Sequence, residues 1–128
     1  MMIGDLSLRS GIHVETIRYY ERVGVLPAAE RHANGRRIYG EQDVKRLRFV
    51  GRARALGFDL ADVRALLDLQ ERPKASCEMA RDMAMAQLAE VEGRIASLER
   101  LRDELTDMSS KCRKAVVAEC RVIEALCT

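Results

Sequence analysis

The chain has 128 residues, 48% of them hydrophobic and 33% charged, which is too apolar for a disordered polymer. No apolar run approaches the roughly 20 residues of a membrane helix, and no secretory signal opens the sequence, so a cytoplasmic protein without membrane contact is expected. The net charge of +2 conceals an asymmetry: residues 1–58 carry 11 Lys/Arg against 6 Asp/Glu, and residues 59–128 carry 11 against 14.

All five aromatic residues lie in the basic part and all four cysteines in the acidic part. Aromatics make up only 4% and Trp is absent, which predicts a core of Leu, Ile, Val, Ala and Met rather than a compact aromatic one. The basic part suits a polyanion such as DNA, whose phosphates dominate affinity. The plainer reading is a solvated charged face.

The elements follow in chain order. Residues 3–10 read as a short helix with Ile3, Leu6 and Leu8 apolar. Gly11 makes a turn, and a second helix over about 14–23 follows, giving a helix-turn-helix. Val14, Ile17, Tyr20 and Val23 would face the first helix, while Thr16, Arg18, Tyr19 and Arg22 occupy the other side. Asn34-Gly35 is a hairpin turn signal between Glu30-Arg31 and Arg36–Tyr39. The small ribbon it predicts is stable only when packed on neighbouring helices, with Ile38 as its expected anchor. Residues 41–56 form a third helix, with Val44, Leu47, Phe49, Val50 and Leu56 as core candidates. Gly57 fits a helix stop, and Asp59 is placed to cap a fourth helix bearing Leu60, Val63, Leu66 and Leu67.

From Ser76 to about Lys111 there is no Pro and a single Gly, which predicts one helix of about 50 Å. Ala84, Leu88, Val91, Ile95 and Leu98 step by 4, 3, 4 and 3 residues, a heptad seam continued by Leu101, Leu105 and Met108 beyond Arg102. No second segment of the chain is long enough to pair with it as an internal hairpin. A second copy of the chain is the simplest cover, since homodimers are the commonest oligomers.

Cys77 and Cys112 are 35 residues apart, five heptads, at equivalent seam positions. Within one helix they are about 52 Å apart and cannot share a ligand. In an antiparallel pair, Cys77 of one protomer lies beside Cys112 of the other, and Cys120 returns eight residues later through a short loop; a parallel pair would instead match each cysteine with its own copy. Residues 121–127 then form a turn or two of helix that covers the site. Three thiolates select soft or borderline metals such as Hg(II), Cd(II), Pb(II), Zn(II) or Cu(I). Taken singly, each cysteine is also a small buried hydrophobe. Cys127 lies off the pattern and reads as packing.

TIRYYERVGVLP at 16–27, NGRRIYGEQDVKRLRFV at 34–50 and ALGFDLADVRALL at 55–67 together closely resemble the MerR family of transcription regulators. The resemblance covers essentially the whole chain. It implies a mainly α fold: a winged helix-turn-helix head over 1–70, a linker and antiparallel dimerisation coiled coil over 71–111, and a metal-binding loop with a short helix over 112–128. It implies no enzyme but a homodimer on double-stranded promoter DNA. Metal binding would distort the over-long spacer so that RNA polymerase can engage.

Carried over by position, the resemblance gives Thr16, Arg18, Tyr19 and a partly core Tyr20 to the DNA-reading helix. It gives Arg36, Arg37 and Tyr39 of the wing to the DNA backbone, with Arg36 where the family usually has Tyr. Cys77, Cys112 and Cys120 become the metal ligands. Relatives that sense copper, silver or gold share the Cys112–Cys120 spacing but have Ser at the place of Cys77. A third thiolate supplies the charge and coordination that a divalent ion requires. Mercury, cadmium, lead or zinc is therefore expected, zinc less so for want of a further Cys or His in the loop. The alternatives are a monovalent sensor using Cys112 and Cys120 alone, and a coiled-coil DNA-binding adaptor that senses nothing. Cys112, Cys120 and Cys127 lack the C-x-x-C spacing of an iron–sulfur redox regulator, and no nucleophile or acid–base constellation suggests catalysis.

Overall fold

A computed structural model of the chain describes residues 1–27, 30–31, 37–111 and 116–127. In it α1 (Ile3–Ser10) stops at Gly11, whose φ of 77° is the left-handed conformation that glycine adopts without strain. The Gly11 amide donates to the Ser7 carbonyl at 2.9 Å, closing the turn into α2 (Val14–Arg22). Gly24 (φ 80°) then reverses the chain, and the amides of Val25 and Leu26 both donate to the Tyr20 carbonyl. β1 (Glu30–Arg31) and β2 (Arg37–Ile38) pair antiparallel, Glu30 opposite Ile38 and Arg31 opposite Arg37. The Asn34-Gly35 turn expected between them lies outside the described residues.

α3 (Glu41–Ala55) begins where the Asp43 carboxylate accepts the Gly40 amide at 2.9 Å. Gly57 (φ 95°) separates it from α4 (Leu60–Gln70). Asp59 caps α4 as the sequence predicts, its carboxylate accepting the Asp62 amide at 2.8 Å. Replacing Asp59 by Ala orphans that amide and is expected to lower stability by about 1 kcal/mol. Urea unfolding reads this as an earlier midpoint at unchanged slope; an unmoved midpoint would mean that the cap contributes nothing.

The head core joins Leu6, Ile17, Val44, Leu47, Val50, Ala53, Val63 and Leu67 from the four helices. Three aromatic rings, Tyr20, Tyr39 and Phe58, are buried among them, more than the composition led one to expect. Val25 and Leu26, in the irregular segment after α2, are fully buried as well. Two expected core positions differ. Leu56 caps α3 and is 66% exposed, because Gly57 turns the chain there and brings in Phe58 instead. In the ribbon, Tyr39 rather than Ile38 is the deep anchor.

α5 (Glu78–Lys111) runs unbroken for 34 residues and buries none of them. A 3-10 turn (Val117–Glu119) and α6 (Arg121–Leu126) complete the described chain. The protein is thus mainly helical, with a winged helix-turn-helix head and a long following helix. Two compact units divide between Gln87 and Leu88. The first turns of α5 belong to the head: Met83 packs on its core, and the Gln87 side-chain amide donates to the Leu56 carbonyl at 2.9 Å.

Candidate DNA-reading face and metal ligands

α2 sorts its residues by helical period. Ile17 and Tyr20 turn inward and are buried, so Glu15, Arg18, Tyr19 and Arg22 lie outward on the remaining surface. Arg18 is half exposed and pairs with Glu15 at 3.2 Å. The Arg22 guanidinium sits 5.7 Å from the centre of the Tyr19 ring, which leaves Tyr19 42% exposed beneath it. Thr16 is partly exposed at the flank of this face.

Other arginines of the basic half hold the fold together. Arg9 forms a two-pronged pair with Glu41, which raises the Arg9 pKa and holds the Glu41 carboxyl below the usual carboxylate range. The Arg46 guanidinium donates to the Val25 carbonyl at 2.9 Å and reaches Glu71 at 3.4 Å. Arg48 donates to the Arg9 carbonyl, and Arg54 to the Phe58 carbonyl. Charge counting alone cannot separate these cations from those on the outer face of α2.

The wing differs from expectation at one residue. Tyr39 is 2% exposed: its ring lies in the core and its hydroxyl donates to the Glu21 carboxylate. Its backbone amide also donates to the Met1 carbonyl at 2.8 Å. The aromatic ring is worth more buried than in water, so Tyr39 is an anchor between wing and head rather than an outward ring. Tyr20 is likewise a core residue, 7% exposed. Arg37 lies in β2, and Arg36 falls outside the described residues.

Sequence reasoning left Glu15, Glu21 and Arg22 out of the site. Glu15 and Arg22 share the outer face with Arg18, at spacings of three and four residues. The Glu21–Tyr39 link crosses 18 positions and has no local signature.

Two of the three expected metal ligands are placed. Cys77 immediately precedes α5, with its carbonyl accepting the Arg81 amide at 3.0 Å and its thiol free and exposed. Cys120 immediately precedes α6, half-buried and outside any disulfide, and its carbonyl accepts the Glu124 amide. Cys112 lies outside the described residues. Cys127 ends α6, seven residues past Cys120, hence about 10.5 Å along the helix. Two thiolates on one ion are held within about 4.6 Å of each other at a metal–sulfur bond of 2.3 Å. One chain therefore cannot place Cys120 and Cys127 on the same ion. Among the described residues, no group of three or more Cys, His, Asp or Glu gathers in one chain. The exposed thiols of Cys77 and Cys127 are donors of the kind a soft ion takes, and the described cysteines of one chain fall short of a site.

Two family models match: one described as MerR HTH family regulatory protein over residues 1–70, the other as MerR, DNA binding over residues 44–108. The mercuric resistance operon regulatory protein of Bacillus cereus is 37% identical over 125 residues, covering 97% of this chain and 95% of that protein. The transcription regulator PbrR691 from Ralstonia metallidurans CH34, crystallised with lead(II), superposes with a TM-score of 0.82 at 33% identity, covering 98% of each chain. MerR from Bacillus megaterium MB1, crystallised with mercury(II), gives a TM-score of 0.74 at 32% identity over 100% of both.

Proposed function

We propose, from the premise that this chain belongs to the MerR family of transcription regulators, that it switches a metal-resistance promoter in response to a soft divalent ion, Hg(II), Cd(II), Pb(II) or Zn(II). Two protomers pair through α5 in antiparallel sense. The seam residues Leu88, Ile95, Leu98, Leu101 and Leu105 are each about half exposed or more in the single chain, and pairing removes them from water. The same pairing sets Cys77 of one protomer against Cys112 and Cys120 of the other.

The observation that carries the metal reading is Cys77: a free, exposed thiol at the start of the long helix, in heptad phase with Cys112. A thiolate bound to metal keeps negative charge, which the amino end of a long helix favours. Likeness along nearly the full chain to regulators crystallised with lead(II) and mercury(II) supports the same class of ion.

Each head lays α2 in the major groove, with Arg18 and Tyr19 as the leading contacts and Thr16 beside them. Arg36 and Arg37 of the wing take phosphates, and Tyr39 and Tyr20 hold their elements in place. With two heads on one rigid pair, a change at the thiolates alters head spacing and twists the promoter spacer until RNA polymerase can engage. The expected compartment is the cytoplasm. Among the described residues no helix is long and apolar enough to cross a membrane. The domain division into 1–70, 71–111 and 112–128 remains the functional one: DNA reading, pairing and metal binding.

The test is an absorbance titration of the reduced protein with Cd(II) and Hg(II). Thiolate-to-metal charge-transfer bands should saturate at one ion per set of Cys77, Cys112 and Cys120. No uptake of any soft ion would reduce the protein to an adaptor. Uptake of Cu(I) or Ag(I) alone would favour the two-thiolate sensor that the eight-residue Cys112–Cys120 spacing resembles.

A further inference from the structure

The outer face of α2 carries an acid where phosphate attraction alone would exclude one. Other head carboxylates have visible work in the fold: Glu41 straps α1 to α3 through Arg9, Glu71 receives Arg46, Glu21 receives the Tyr39 hydroxyl, Asp43 receives the Gly40 amide and Asp59 caps α4. Glu15 is different. Its side chain is 83% exposed in the first turn of α2, and its contact is Arg18 at 3.2 Å on the same outward face.

Residues at the amino end of a recognition helix are the ones that meet base edges. A carboxylate suits the amino end of a helix, as Asp5, Asp43 and Asp62 do in the other head helices, but toward DNA it is repelled by nearby phosphates unless a base offers it a donor. In the major groove the exocyclic amino group of cytosine is the donor that carboxylates accept from.

We propose that Glu15 is a specificity-determining residue, accepting a hydrogen bond from a cytosine amino group and penalising sites that lack one. This inference rests on the reading of α2 as the DNA-reading helix. Glu15 also holds the Arg18 guanidinium along the same face before DNA arrives, so acid and base read adjacent pairs together. Guanine, whose two acceptors suit a forked guanidinium, is the natural target of Arg18. Loss of Glu15 then raises attraction for all DNA while lowering discrimination.

The experiment selects binding sites from a library of random-sequence duplexes with wild-type protein, Glu15→Ala and Arg18→Ala. Affinities are then measured for the wild-type consensus and for an unselected random duplex. Wild type should fix a cytosine at symmetry-related positions of the two half-sites. Glu15→Ala should lose that preference alone, bind the random duplex more tightly, and show a consensus-to-random ratio about tenfold smaller. The proposal is overturned if Glu15→Ala selects the same bases at the same ratio, or loses a pair other than cytosine's. If instead Arg18→Ala keeps wild-type selection and affinity, α2 is not the reading helix, and the proposal falls with the reading beneath it. Glu15 makes no buried contact, so equal melting curves for wild type and Glu15→Ala will separate a reading defect from a folding one.

Discussion

Cys77→Ser should lower Cd(II) affinity by 100-fold or more while leaving operator binding by the metal-free protein unchanged. The size follows from ligand number. Disturbing groups that merely orient metal ligands costs about 10- to 100-fold, and removing a ligand costs at least as much. A serine hydroxyl stays protonated at neutral pH and is a hard donor, so it does not replace a thiolate on a soft ion. Cys77 is exposed and its fold contact is through its backbone carbonyl, so the substitution spares the helix start. Competitive titration against a chromophoric chelator measures the affinity, and a promoter reporter measures the response. The two-thiolate alternative predicts the opposite outcome, a Cu(I) response untouched by the change. Wild-type Cd(II) affinity in the serine variant would remove Cys77 from the ligand set.

The second large effect is on DNA. Arg18→Ala should weaken operator binding by about 10- to 100-fold, the 1–3 kcal/mol of a base-contacting arginine, and make binding less sensitive to salt. Fold stability should hardly move, because the pair that Arg18 forms with Glu15 is exposed and such pairs contribute about 0–1 kcal/mol. The contrast is Arg46, whose guanidinium bonds the Val25 carbonyl and Glu71, so that its loss acts on folding first. Fluorescence anisotropy on a labelled operator, with thermal melts alongside, separates the two cases. Equal operator affinity for wild type and Arg18→Ala would take Arg18 off the contact face.

Where chain-local rules act, the sequence was readable. Gly11 and Gly57 mark turns because their positive φ disfavours other residues, and Asp59 marks a helix start because its carboxylate reaches a free amide three residues on. Periodicity sorted Ile17 and Tyr20 inward from Arg18 and Tyr19 outward. It failed where the chain is not periodic. Val25, Leu26 and Phe58 are buried in turns, where nothing in their spacing announces it. The resemblance gives Tyr39 to the DNA backbone, and a two-residue strand is too short for alternation to show that its ring is buried. Leu56 was read as core because the helical repeat was extended one residue past the point where Gly57 ends it. The thiolate set was readable only as a phase relation between Cys77 and Cys112, since its proposed geometry belongs to two chains.

α5 adds 34 residues of helix, none of them fully buried in the single chain. Helical propensity alone holds such a rod weakly, and most of the stability of a protein helix comes from packing its apolar face. In the proposed dimer that packing depends on meeting another copy, so holding the rod together becomes a matter of mass action. A regulator built this way measures its own abundance as well as the ion. In that proposed dimer, low copy number would part the rods and the shared thiolate set with them, so that ion affinity and promoter occupancy would fall together.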